Sequence, residues 1–195
     1  MLKIHFVHIL FVFFIFFSIN VSGQVEDKSL AETQETETYK KHTIGFGLTH
    51  TSIGSGIKDN VGDQWLAFPS FTLDYSYHLN KKWLIGLHND VILEEFIVED
   101  KRANNNSSHE IIGIDRSQPI TTTLVLGYEI LDRIILIAGG GMEFSKEENF
   151  KVVRIGIDAP FEIRNNWEIF GTFTYDVKIE AYDTFFYGIG IAKLF

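Results

Sequence analysis

The chain reads as an all-β protein: an eight-stranded antiparallel up-and-down barrel with an apolar exterior and a polar interior. Three observations lead there. A two-faced alternation of side chains recurs about eight times between Thr43 and Phe195. The connections between these runs alternate between tight polar turns and longer polar stretches. The last run, Asp183 to Phe195, sets Phe185, Tyr187, Ile189, Ile191, Lys193 and Phe195 on one parity and Phe186, Gly188, Gly190, Ala192 and Leu194 on the other. Successive strand side chains point to opposite faces, so this strand has one apolar face and one mostly small, close-packed face.

Composition agrees. A length of 195 residues suits one domain, and 14% aromatic residues with 18 Phe, 7 Tyr, 16 Gly and only 3 Pro favours strands and tight turns over helices. The formal net charge of -9 excludes a general nucleic-acid binder, which needs a basic face for phosphates. The absence of Cys excludes a disulfide framework, a thiol nucleophile and a thiolate metal site.

The N-terminus decides the compartment. Lys3 supplies a positive start, Phe6 to Phe17 is apolar except for His8, and Ser18 to Gly23 turns small and polar with Val21 and Gly23 at the -3 and -1 positions of a cleavage site. This predicts a removable signal peptide over 1–23; the apolar run is short of the roughly 20 residues a spanning helix needs. The protein is then exported, and membrane insertion further on would have to be as a barrel. Residues 24–42, rich in Glu, Thr and Lys, bury too little surface to offset chain entropy and read as a flexible acidic tail. The barrel occupies 43–195.

Strand one (about 43–52) faces Ile44, Phe46, Leu48 and His50 outward against Gly45, Gly47, Thr49 and Thr51. Strand two (about 65–79) sets Phe71, Leu73, Tyr75 and Tyr77 against Ser70, Thr72, Asp74, Ser76 and His78. Strand three (about 83–98) sets Ile85, Leu87, Asn89, Val91 and Leu93 against Gly86, His88, Asp90, Ile92 and Glu94. Strand four (about 119–131) sets Leu124, Leu126, Tyr128 and Ile130 against Thr123, Val125, Gly127 and Glu129. Strand five (about 134–144) turns Ile135, Ile137, Gly139, Gly141 and Glu143 inward. Strand six (about 150–163) turns Arg154, Gly156, Asp158 and Glu162 inward, and strand seven (about 167–179) does so with Glu168, Thr172, Thr174 and Asp176. The terminal strand makes eight.

Leu79 to Trp83, Leu131 to Arg133 and Arg164 to Trp167 are hairpin-type turns. The intervening connections, including the Asn104 to Ser108 run, are longer and more polar. Trp83 and Trp167 follow two of the short turns at equivalent spacing, which places both indoles at one membrane interface. A soluble sandwich would present the same alternation, but here the polar face is rich in Gly, Ser and Thr and the strand order is a plain meander without Greek-key crossovers.

The leader, the alternating strands, the asymmetry of turns and loops, and the terminal Tyr187-Gly-Ile-Gly-Ile-Ala-Lys-Leu-Phe195 together resemble the eight-stranded Gram-negative outer-membrane barrels of the OmpA transmembrane-domain and OmpX type. The resemblance covers 43–195 and is specific to architecture, not activity. It implies an outer-membrane location, contact with outer-membrane lipid and lipopolysaccharide, a monomeric state, and recognition of Tyr187, Ile189, Ile191 and Phe195 by the barrel-assembly machinery. Lys193 departs from the pattern, since it falls on the lipid-side parity and must snorkel to the interface.

An eight-stranded barrel is just wide enough for side chains to fill. Its expected inward polar set is Asp74, His88, Asp90, Glu94, Glu129, Glu143, Arg154, Asp158, Glu162, Glu168 and Asp176, nine carboxylates against one Arg and one His. Simple pairing cannot satisfy them. Arg154 is the expected central cation, held by Glu129, Glu143 or Asp176. His88, Asp90 and Glu94 share one parity about 6.6 Å apart per step; a metal site or general-base pair could be built there, but a polar plug is the preferred reading. The leading expectation is a non-enzymatic envelope protein, structural, adhesive or protective through its loops, with no cofactor, metal or nucleic acid. The alternative is an enzyme acting on lipid or lipopolysaccharide through outward His50 with Thr51 and Ser52. A small-solute pore comes third, opposed by the filled lumen.

Overall fold

In the computed structural model, described over residues 40–54, 65–99 and 113–195, the chain forms ten strands. They are β1 (His42–Ile53), β2 (Leu66–His78), β3 (Trp83–Ile92), β4 (Glu95–Glu99), β5 (Gly113–Ser117), β6 (Ile120–Leu131), β7 (Ile134–Phe144), β8 (Phe150–Glu162), β9 (Trp167–Lys178) and β10 (Asp183–Leu194). Eight of them close an antiparallel barrel in the order β1-β10-β9-β8-β7-β6-β3-β2, while β4 and β5 pair only with each other. The predicted signal peptide 1–23 and nearly all of the acidic segment 24–42 lie outside the described residues.

Closure has a definite pitch. A walk through paired residues from Thr43 to Ser76, Gly86, Val125, Gly139, Arg154, Asp176 and Thr184 returns to β1 at Ile53, ten residues above its start. Strands offset this far tilt by about 40° to the barrel axis. The offset is even, so a face that starts inward stays inward all the way round.

The alternation sorts the side chains as expected. Leu48, Leu124, Ile155 and Ile189 are 56–69% exposed on the outer face, whereas Thr49, Thr72, Asp90, Thr123, Arg154 and Asp176 are buried inside. An apolar belt of this extent is far larger than a soluble monomer carries and is what hydrocarbon requires. Asn89 and Thr122 are polar exceptions on the outer parity, and they satisfy each other: the Thr122 hydroxyl donates to Asn89 Oδ1 at 3.0 Å, and Asn89 Nδ2 donates to the Leu73 carbonyl at 3.0 Å.

The small face of β10 and β1 has a packing reason. Phe170 projects inward from β9 and is 8% exposed. Its ring lies where side chains on Gly45, Gly47 and Gly190 would stand: a Cβ built on Gly190 would sit 2.4 Å from Phe170 Cζ. The glycines of two strands form a notch for an aromatic from a third.

Turns follow local chemistry. In the β8–β9 turn both Asn165 (φ 56°) and Asn166 (φ 63°) occupy the left-handed region, the type I′ geometry that matches hairpin twist and that Asn tolerates. In the β2–β3 turn the Asn80 carboxamide oxygen accepts from the Lys82 and Trp83 amides at 2.9 and 3.0 Å.

One expectation needs correction. The third strand does not run straight to residue 98. The chain bends at Leu93 and Glu94, and β4 then returns through β5 as a hairpin. Its inward residues Phe96, Val98 and Ile114 are buried in a cluster with Ile53, Ile92, Phe150, Tyr182 and Phe186. These belong to the barrel end that carries the long connections, the upper mouth, so the hairpin caps that mouth with an apolar layer. Toward the short-turn end, the lower mouth, Leu84, Val125, Ile135 and Ile137 form a second, smaller inward apolar cluster.

Candidate functional site

The polar groups of the lumen form two unlike layers. In the upper layer Arg154, from the middle of β8, meets Asp176 of β9 in a bidentate pair, with Nε to Oδ1 and Nη2 to Oδ2 both at 2.7 Å. The same Nη2 lies 2.6 Å from Asp90 Oδ2 on β3. Two residues above Asp176 on the same parity, Lys178 donates to the Thr184 hydroxyl at 2.6 Å and lies 3.5 Å from Glu143 Oε2 and 4.0 Å from Asp176 Oδ2. Glu143 of β7 also receives Arg116 of β5 and the Tyr182 hydroxyl, the latter at 2.6 Å. Arg116 reaches on to the Glu148 carbonyl and lies over the Phe150 ring at 4.6 Å. Burial, reinforced by the Glu143 carboxylate, raises the Tyr182 phenol well above its ordinary value, so it donates as a neutral hydroxyl.

This layer is charge-balanced. Arg116, Lys178 and Arg154 face Glu143, Asp176 and Asp90, and every one of them is buried. Such a network stabilises only when its members are all engaged; here they also lie against Phe150, Tyr182 and Phe186, with Arg154 5.4 Å and Lys178 5.7 Å from the Phe186 ring.

The lower layer is different. Asp74 accepts from the Thr72 hydroxyl at 2.8 Å and Asp158 from the Thr172 hydroxyl at 2.7 Å. His88, 5% exposed, has Asp74 Oδ1 at 4.0 Å from Nδ1, beyond hydrogen-bond reach. His78 pairs with the Thr43 hydroxyl at 3.1 Å. A cavity of about 80 Å³ lies among Asp74, His78, His88, Asp158 and Glu168, with Leu84, Ile135 and Phe170 as apolar walls.

The expected site residues therefore divide. Arg154 is held by Asp176 and Asp90; Glu143 goes instead to Arg116, Lys178 and Tyr182, and Glu129 sits half-buried beside the β6–β7 turn, with the Arg133 amide 3.5 Å from Oε1. Glu94 is not inside: it is exposed at the bend above β3, so the His88, Asp90 and Glu94 group does not exist as a unit. Glu162 is exposed at the lower end of β8. Two cations absent from the expected inward set are what balance the upper carboxylates. Lys178 could have been found, since it continues the inward parity of β9. Arg116 could not, because it reaches the lumen only through the return of the hairpin.

On the outer surface, Tyr187, Ile189 and Ile191 are exposed along β10, and Phe195 follows it with its amide donating to the His42 carbonyl at 2.8 Å. Trp83 and Trp167 face outward at the lower mouth. Trp83 packs on Tyr128 with ring centroids 4.6 Å apart, and Lys193 Nζ lies 5.1 Å from the Trp167 ring while donating to the Asn165 carbonyl at 2.6 Å. That is a lysine reaching the polar turn, as its lipid-side parity demands. His50 is outward with its ring 6.0 Å from Tyr187, whereas Thr51 turns inward to the Ser70 hydroxyl. Alternation thus separates the pair.

No family model and no curated protein sequence matches the chain. Solved structures do. Ail, the attachment invasion locus protein of Yersinia pestis, in complex with the heparin analogue sucrose octasulfate, aligns with a TM-score of 0.53 at 16% identity over 80% of this chain and 100% of that one. The N-terminal β-barrel domain of Pseudomonas aeruginosa OprF aligns with a TM-score of 0.50 at 9% identity, again over 80% and 100%. Identities this low speak to fold alone, and together with the closed meander of strands they give the conclusion: this chain has the eight-stranded outer-membrane β-barrel fold.

Proposed function

We propose that the chain is an exported, integral outer-membrane barrel that conducts nothing and serves the envelope through what its upper connections present, in a structural, adhesive or protective role. The observation that carries this reading is the closed upper lumen. Arg154, Asp90 and Asp176 cross it from three strands, and the β4–β5 hairpin lays Phe96, Val98 and Ile114 over it. A pore would need a continuous wet path through both layers. The apolar belt supports residence in lipid beside lipopolysaccharide, and the exposed aromatic and aliphatic face of β10 supports capture by the assembly machinery; deleting Phe195 should then reduce assembled protein in cells. Ail, a barrel of the same fold crystallised with a heparin analogue, is a precedent for ligand contact on such a scaffold.

Planar-bilayer recording on the refolded full chain tests the central point. The expected record is flat; discrete conductance steps would sink the reading. The alternative, an enzyme acting on lipid or lipopolysaccharide, rests on outward His50 beside Tyr187. A change in lipid A mass profile on deleting the gene would favour it, and an unchanged profile would remove it.

A further inference from the structure

We propose that the lower lumen is a binding site for a small primary ammonium, an alkylamine of a few heavy atoms entering from the short-turn end. The charge count sets the need. The upper layer pairs its three carboxylates with three cations, but the cavity below is lined by Asp74, Asp158 and Glu168 without a Lys or Arg among its lining residues. Arg154, the nearest cation above, is already held by Asp90 and Asp176. Buried carboxylates without a counter-charge are costly.

A second observation points to a ligand. The His88 ring lines this cavity, is 95% buried by its 5% exposure, and has no hydrogen-bond partner among the described residues. Buried polar groups of this kind normally have one, so an amine N–H donating to a ring nitrogen would supply the missing contact. The walls choose the class of cation. An inorganic ion takes oxygen ligands all round, and no group of His, Asp and Glu among the described residues is gathered at metal-ligand spacing. Here the carboxylates, the imidazole and the Ser76 hydroxyl share the space with Leu84, Ile135, Pro160 and the Phe170 ring. That combination suits a charged head with a short alkyl body, the aromatic face adding a cation–π contact. The volume of about 80 Å³ limits the guest to a few heavy atoms.

The test uses the refolded full chain in detergent, titrated with n-propylammonium chloride, with sodium chloride and n-propanol as controls of equal concentration. A saturable rise in melting temperature with the amine, absent with both controls, is expected. In Asp158→Asn the apparent Kd should weaken about ten-fold, the cost of one charge-assisted contact. Should that variant not refold, ring resonances of His88 in the unaltered protein give the same answer: they should shift saturably with the amine while those of outer-face His50 stay fixed. Equal stabilisation by sodium chloride, an unchanged Kd in the variant, or His88 resonances that ignore the amine would each overturn the proposal.

Discussion

The upper and lower halves of the lumen are filled by opposite means. Above, three cations and three carboxylates interlock beneath an apolar hairpin, each charge engaged by at least one opposite charge. Below, carboxylates outnumber cations, hydroxyls take up single lone pairs, and space is left over. The difference teaches that a polar interior is not one material. A balanced network resists loss of any member, whereas an overcharged layer gains by losing one.

Four substitutions would break or sharpen that contrast. The largest effect is expected from Arg154→Met, which leaves Asp90 and Asp176 buried without their guanidinium and should cost about 3–5 kcal/mol, read as a lower melting temperature of the compact, unboiled gel band. An unchanged melting temperature would dissolve the distinction between the layers. Glu143→Gln should cost about 2 kcal/mol, because Arg116 and Lys178 lose a shared partner while the shape is kept; urea titration in detergent would show it. Tyr182→Phe removes one hydroxyl donor to Glu143 and should cost about 1 kcal/mol by the same measurement. Smallest in size and opposite in sense, Asp158→Asn in the lower layer should leave stability unchanged or raise it, since it lightens an uncompensated acidic group. A loss comparable to that of Glu143→Gln would mean that the lower layer is as tightly coupled as the upper.

The barrel itself was legible because alternation has a period of two and a strand has nowhere else to put it. Even the least obvious strand, β7, faces Ile135, Ile137 and Glu143 inward as its parity implies. The terminal strand carried both its outer face and, in Gly190, the trace of a packing notch, though nothing local says that Phe170 fills it. What alternation could not reveal is a change of direction. Phe96 and Val98 continue the parity of His88 and Asp90 without a break, so a strand that folds over the mouth and one that runs on look alike in sequence. Glu94 was misplaced for that reason, and Arg116, brought in by the return strand, was missed. Lys178 was legible but lies at a strand end, where a lysine ordinarily meets water; only the cap above it makes that position an interior one.

The ten-residue, even closure of the barrel has a bearing on how this sequence can drift. One residue added within a strand would exchange inside for outside along the remainder of that strand, carrying charge into lipid and leucine into the network. Additions inside strands must therefore come in twos or be absorbed in a bulge. The pairing irregularity between β6 and β7 falls between Glu129 and Leu131, beside a short turn, where few interior contacts depend on the count. Changes of length should accordingly collect in turns and upper connections, and comparison of sequences sharing this barrel would show strands that keep their lengths while the loops between them do not.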